Sequence, residues 1–538
     1  LYLFYDQLLI FFIVLIMNRF ALSCWLASAG LALSGCVVGP DYVRPATKVQ
    51  NQFTQPKQTE FTEALEVTNA QRINPVAWWA SFKDPILNQL LARAASDNLS
   101  LQRAAVRVAQ ARSQFGVSEA TLLPTAALTG SASRNDNPNA FTRYLNTSPL
   151  SNTRNLMIQA NWEIDFWGKY RRGIESTLSS YISVAAAYYS ADVSLASDVA
   201  NAYINIRNYE GLIQVAKNNL AFQAESLRIA RSRFDNGSTS LLDLSQSESQ
   251  YQQTKSQIPT LIASLKMAQY TMSILLGESP DYYEQNFQSS KAALVAPAAL
   301  QVGIPKDLLR RRPDILQAEY AAAAQSALIG VNEAALYPSF TLSGFFGFQS
   351  VTTANTNQSG LFSWDNRNTS LAGGFLFPLF YRGAITDQIR VQDAAFQQSV
   401  LTYQNLVLQA QKEVQDALIT ISTTRSSAAD LKKSVIAAEQ AAKLAVERYS
   451  AGQIDYNNVI LAQQQLLLVQ STLVQTNTNH LLGYVAAFKS LGGGWSGDLL
   501  TPALPDAMVA EMKQRSNWGN VLSHQPDPRL VQSSETIQ

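Results

Sequence analysis

The sequence predicts an α+β membrane protein, built as a tandem duplication with four transmembrane β-strands and long coiled-coil-like helices. Three observations carry that prediction. The first is repetition. Ser118-Glu119-Ala120-Thr121-Leu122-Leu123-Pro124 answers to Asn332-Glu333-Ala334-Ala335-Leu336-Tyr337-Pro338, the prolines lying 214 positions apart. Arg233-Phe234-Asp235-Asn236-Gly237 faces Arg448-Tyr449-Ser450-Ala451-Gly452, and Leu275-Leu276-Gly277 faces Ser490-Leu491-Gly492, each 215 positions on. A period this long is not that of a solenoid. The second observation is helix length. Ala384 to Ala451 runs 68 residues without Gly or Pro, which at about 1.5 Å per residue reaches roughly 100 Å. The third is strict alternation between 155 and 166, with Leu156, Ile158, Ala160, Trp162, Ile164 and Phe166 on one face and polar residues on the other apart from Met157.

In chain order, residues 1–16 precede the first Met and read as an over-extended start, and 17–35 as a lipoprotein signal peptide. Met17-Asn18-Arg19 is a short basic start, 20–33 is apolar, and Leu33-Ser34-Gly35-Cys36 matches a lipobox. The logic is that of a secretory leader, with cleavage before Cys36 and lipid attached to its thiol. Val37 in place of an aspartate resembles lipoproteins sent to the outer membrane. One acylated cysteine tethers a protein to a membrane without spanning it.

The predicted segments are 36–86 as an N-terminal segment, 87–277 as the first repeat, 278–312 as a linker, 313–492 as the second repeat and 493–538 as a C-terminal tail. In each repeat a shorter helix (87–120, 314–336) leads to a β-hairpin (about 121–168 and 337–382). A long helix (174–236, 384–451) and a second helix (241–276, 456–491) follow. The long helices carry narrow apolar seams: Leu195, Val199, Ala202, Ile206, Ile213 and Ala216 in one, and Val400, Val407, Val414 and Ile421, spaced by seven, in the other. Such stripes suit coiled-coil packing. Pro259 is expected to kink or interrupt its helix. The strands are about ten residues long, which suits a membrane. A soluble sandwich gives the same alternation, but the leader sends the chain across the inner membrane. Four strands cannot close a membrane barrel, and an open edge in lipid is forbidden. Membrane-spanning strands therefore require an oligomer that shares one barrel.

Composition excludes several classes. Net charge is +1, so nothing points to nucleic acid. The two histidines, His480 and His524, lie far apart, and no His/Cys grouping has metal-ligand spacing. Cys24 falls in the leader, which leaves no disulfide framework. No nucleophile–base pair, carboxylate pair or phosphate loop stands out, so no enzyme and no cofactor are expected. Arg310-Arg311-Arg312 admits an anion-site reading, but a solvated turn beside Pro313 suits it better.

Several short segments resemble one family in order: Cys36-Val37-Val38-Gly39-Pro40-Asp41-Tyr42, Trp78-Trp79, Asp84-Pro85, Asp165-Phe166-Trp167-Gly168, Arg311-Arg312-Pro313-Asp314-Ile315 and Pro378-Leu379-Phe380-Tyr381-Arg382-Gly383. Together with the duplication, they make the mature chain similar to the outer membrane factors. These are TolC-type channels, here of the OprM/NodT-like lipoprotein branch that serves resistance-nodulation-division efflux systems. The resemblance implies a homotrimer with a twelve-stranded β-barrel in the outer membrane and an α-helical barrel across the periplasm. It also implies a periplasmic adaptor and an inner-membrane pump as partners, and passive conduction of drugs or other small toxic molecules. A type I protein-secretion channel and a structural coiled-coil surface protein are the alternatives.

The resemblance further implies a periplasmic gate at the helix-hairpin turns around Gly237 and Gly452. Tyr449 stands at the family's latch tyrosine and Asp243 at its acidic partner; a hydroxyl donating to a carboxylate makes a comparatively strong bond. Leu461, Gln464 and Ile454 stand where relatives carry charged residues, leaving Asp455 as the candidate for a carboxylate ring. Capping and packing at a turn is the competing reading of Tyr449, Asp243 and Asp455.

Overall fold

A computed structural model describes residues 37–47, 76–136, 150–288, 294–297, 311–353, 360–499 and 502–522. The lipobox, including Cys36, lies outside them. The described helices are α1 (Pro85–Asp97), α2 (Leu99–Ala120), α3 (Lys169–Asp235), α4 (Leu241–Leu275), α5 (Tyr282–Asn286), α6 (Pro313–Glu333), α7 (Arg382–Ser450), α8 (Tyr456–Ser490) and α9 (Asp506–Arg515). The strands are β1 (Thr125–Asp136), β2 (Leu150–Ile164), β3 (Ser339–Thr353) and β4 (Arg367–Leu376). The order helix, strand, strand, long helix, helix occurs twice.

Two expectations about helices need correcting. The helix expected over 87–120 is two helices. Asn98 takes an extended conformation and its side-chain oxygen accepts from Leu101 N at 2.9 Å, so it caps α2 rather than continuing α1. α4 runs unbroken through Pro259. Pro259 and Lys255, whose carbonyl the proline leaves without a donor, are both exposed, so solvent can satisfy the freed group.

The chain divides into two compact units. One contains the sheet, antiparallel in the order β1-β2-β3-β4. Its register aligns the faces of all four strands. Leu128 pairs with Ile158, Ile158 with Phe346, Leu156 with Phe348, and Phe340 with Phe375. Because side chains alternate, one face is lined by Leu, Ile, Phe and Trp. The opposite face carries Thr129, Ser131, Asn155, Gln159, Asn161, Thr341, Ser343 and Ser370, with Met157, Phe345, Val351 and Leu376 as its larger apolar members. Leu128, Ile158, Phe346, Leu371 and Phe375 are exposed in the single chain. β1 and β4 are its edges. At the foot of the sheet Trp167 stacks on Tyr337 at 4.6 Å and donates to Pro338 O at 2.8 Å. Beside it, the buried Arg172 donates to Val38 O, Gly39 O and Asp41, which fastens the segment that follows the lipobox.

The other unit is helical. Its main core joins Trp78, stacked on Phe488 at 5.1 Å, with Leu87, Leu90, Tyr203, Ile206 and Val485. The seam residues Val199, Ile206, Val407, Val414 and Ile421 are all buried. The seam between α3 and α8 is partly polar: Gln463 donates to Ser226 Oγ at 2.7 Å and Asn219 to Gln470 Oε1 at 2.7 Å. No described helix is long and apolar enough to cross a membrane.

Candidate functional site

Two helix hairpins, α3–α4 and α7–α8, end in matched turns. Gly237 N donates to Phe234 O at 2.9 Å and Ser238 N to Arg233 O at 2.7 Å. Gly452 N donates to Tyr449 O at 2.9 Å and Gln453 N to Arg448 O at 2.9 Å. This is the pattern of a Schellman motif. It requires a left-handed residue, and φ is +67° at Gly237 and +75° at Gly452, where glycine avoids the Cβ penalty. Each next helix starts within a few residues. Ser240 caps α4 by accepting from Asp243 N. Asp455 sits at the cap of α8 without a side-chain cap bond.

Between these turns lies a small buried cluster of Ala230, Tyr449, Tyr456 and Val459. Tyr449 is 1% exposed. Its ring meets Tyr456 edge-on at 5.0 Å and 72°, and the Arg233 guanidinium lies over it, 4.6 Å from the centroid. The Tyr449 hydroxyl donates to Thr239 Oγ1 at 3.5 Å, and the Thr239 hydroxyl donates to Asp243 Oδ2. Burial pushes the Tyr449 hydroxyl above its ordinary value and the Asp243 carboxylate adds to this, while the Thr239 contact and the Arg233 charge pull the other way. Burial raises Tyr456 too, its hydroxyl being paired with Ser247.

Of the residues singled out from the sequence, Tyr449, Asp243, Gly237 and Gly452 come together at this place. Asp455 is exposed beside them. Leu461 is 57% exposed, and Gln464 donates to Gln250 Oε1 at 2.9 Å, so neither carries charge there. Sequence reasoning missed Thr239, which stands between the tyrosine and the carboxylate, and Arg233. The register offered a signal for Arg233, since Arg448 is its counterpart and Tyr449 faces Phe234. Among the described residues no group of three or more His, Cys, Asp or Glu could hold a metal.

A long-helix chain with a one-sided apolar sheet and paired hairpin turns is the architecture of an outer-membrane channel. The model of the outer membrane efflux protein family matches residues 90–278 and again 304–493, and the chain belongs to that family. Among curated relatives, nodulation protein T of Rhizobium leguminosarum bv. trifolii is 28% identical over 466 residues, 87% of this chain and 96% of its own length. The toluene efflux pump outer membrane protein TtgF of Pseudomonas putida is 28% identical over 469 residues, 86% of this chain and 95% of its own. The solved structure of the outer-membrane channel OprN superposes with a TM-score of 0.76 at 28% identity, covering 87% of this chain and all of that one. The chain is thus an outer-membrane efflux channel, not an enzyme, and its place is the outer membrane.

Proposed function

We propose that this chain is the exit duct of a tripartite efflux pump and works as a homotrimer. Three chains would each contribute β1–β4 to a twelve-stranded barrel, with the apolar face toward lipid and the polar face toward the lumen. The observation that carries this is the register: four strands whose large apolar side chains gather on one face, interrupted in β4 by Thr369 and Arg367, and two unpaired edges, which a single chain cannot place in a bilayer. The long helices would form the periplasmic barrel. A periplasmic adaptor would link it to an inner-membrane pump of the resistance-nodulation-division type, which supplies the energy. The cargo is drugs or other small toxic molecules; the efflux-pump name of the TtgF relative supports that class over protein secretion. Cys36 carries the lipid anchor.

The two repeats, 87–277 and 313–492, descend from one duplicated unit; the family resemblance assigns 36–86, 278–312 and 493–538 to an equatorial belt, and much of these segments lies outside the described residues. Support comes from the double match of one family model and from a shared junction. Asn98 donates to Leu275 O at 2.9 Å. Its register counterpart Arg312 donates to Ser490 O at 3.2 Å, and Ser490 is the counterpart of Leu275; Arg312 is buried between Asp314 and Glu413, which corrects the expectation of a solvated turn there. Each repeat therefore ties the carbonyl end of its last helix to the residue that precedes the helix leading into its hairpin.

The gate lies at the turns. Tyr449, Thr239 and Asp243 hold the two hairpins of a chain together in the closed state, and Asp455 is exposed where a ring of three carboxylates would line the constriction. Deleting the gene and measuring susceptibility to dyes, detergents and antibiotics tests the duct. Sensitisation to several chemically unrelated compounds is expected; unchanged susceptibility together with loss of a secreted protein would favour the secretion channel.

A further inference from the structure

The gate reading uses Tyr449 and Asp243, but the residue with the widest reach across the turns is Arg233. It lies in the last turn of α3. Its Nη1 donates to the Tyr449 carbonyl, its Nη2 to the Ser238 carbonyl at 3.2 Å, and its guanidinium plane covers the Tyr449 ring. A Cβ at Gly452 would stand 3.4 Å from Nη2. One side chain thus joins the Gly237 turn to the Gly452 turn.

Two features make this more than ordinary packing. The first is chemical. A guanidinium offers donors in a fixed planar fork and a flat cationic face, and here the donors serve two backbone carbonyls while the face serves the ring. The Tyr449 carbonyl lies in the last turn of α7, where a cation is favoured by the dipole, and the Ser238 carbonyl lies in the turn that follows α3. The second is the broken symmetry of the repeat. Arg448 occupies the same register position in the second hairpin, yet its side chain is exposed. Its turn has Phe234 on the other side where Arg233 finds Tyr449. The repeat therefore keeps an arginine in both hairpins, but only the first reaches across.

We infer that Arg233 is a positioning residue of the gate: it staples the α3–α4 turn to the α7–α8 turn within one chain and sets the position of the Tyr449 ring, so that opening requires its release. This deepens the gate reading given above and rests on it. It also assigns the two bonding systems different roles. The hydroxyl relay through Thr239 orients one edge of the Tyr449 ring, and Arg233 fixes the ring face and the turn backbone.

The test uses the purified full-length protein in planar bilayers, with conductance and melting temperature read for each variant. Arg233→Met keeps an aliphatic stem over the ring and removes the donors and the charge. It is expected to raise the open fraction about tenfold, equivalent to about 1.4 kcal/mol. Arg233→Lys keeps a cation over the ring and should restore most of the closed state. Arg448→Met should behave as wild type. An increase with Arg233→Met, rescue by lysine and an inert Arg448→Met support the staple. Wild-type conductance from Arg233→Met, or equal effects of the two methionine variants, overturns it. A rise accompanied by the same loss of melting temperature in the lysine and methionine variants also overturns it, since packing alone would then be at work. Asp243→Ala/Tyr449→Phe separates the two readings. If that variant opens and Arg233→Met does not, only the staple fails. If it stays closed while Arg233→Met opens, the staple stands and the hydroxyl relay is wrong.

Discussion

If the proposed gate lies at these turns, replacing Tyr449 by Ala should open it far more than replacing it by Phe. The side chain is 1% exposed, with Tyr456 5.0 Å from its ring on one side and the Arg233 guanidinium at 4.6 Å. Truncating a buried aromatic ring costs about 3–5 kcal/mol. Phe keeps the ring and both of those contacts. It loses only the hydroxyl contact to Thr239, which at 3.5 Å lies at the long limit of a hydrogen bond and is worth no more than about 0.5–1.5 kcal/mol. At about 1.4 kcal/mol per tenfold, ring removal moves the closed–open equilibrium by roughly two to three and a half orders of magnitude if opening separates the ring from its neighbours. Hydroxyl removal moves it by less than about tenfold. Single-channel recording of Tyr449→Ala and Tyr449→Phe, with the melting temperature as a folding control, measures both. Equal conductance from the two variants would refute the assignment of the latch mainly to packing and the cation–ring contact.

Other consequences can be measured on the same material. Burial pushes the Asp192 carboxyl up to about 6, above about 3.9 for an unfolded chain. A folded-state value above the unfolded one means that stability from this group is full below about pH 4 and is lost as pH rises through about 6. Asp192→Asn should therefore stabilise the protein at pH 7.5 by up to about 3 kcal/mol and change nothing at pH 3.5, read from denaturant unfolding at both pH values. Gly237→Ala should cost about 1–2 kcal/mol for its left-handed backbone, because nothing lies within 4 Å of the added Cβ. Gly277→Ala should cost distinctly more, since φ is +74° and its Cβ would stand 2.3 Å from the Asp97 carbonyl; paired thermal melts give the difference.

Much of the fold is readable in the sequence because it rests on periodicity. The alternation of Leu156, Ile158, Ala160 and Trp162 names a face, and the register with Phe348, Phe346, Gly344 and Leu342 continues it. Val407, Val414 and Ile421 name a seam and are buried. Local chemistry that competes with a period is harder to read. Asn98 lies inside a helical pattern yet breaks it by capping α2, and Pro259 lies inside another yet leaves it whole because its freed carbonyl faces solvent. Periodicity is also silent on contacts between distant segments. The family resemblance placed Tyr449 and Asp243 at the two turns. It could not show that Thr239 stands between them or that Arg233 crosses to a residue more than 200 positions away, because those contacts depend on how four helices meet. Asp455 was legible only as an exposed carboxylate, since a ring needs copies that one chain does not supply.

The most direct measurement is the mass and the single-channel conductance of one purified preparation in detergent and then in planar bilayers. Three chains per particle are expected, with discrete conductance steps that grow in the Asp243→Ala/Tyr449→Phe variant. A single chain per particle, or a bilayer silent with that variant and with Arg233→Met alike, would contradict a barrel shared by three copies.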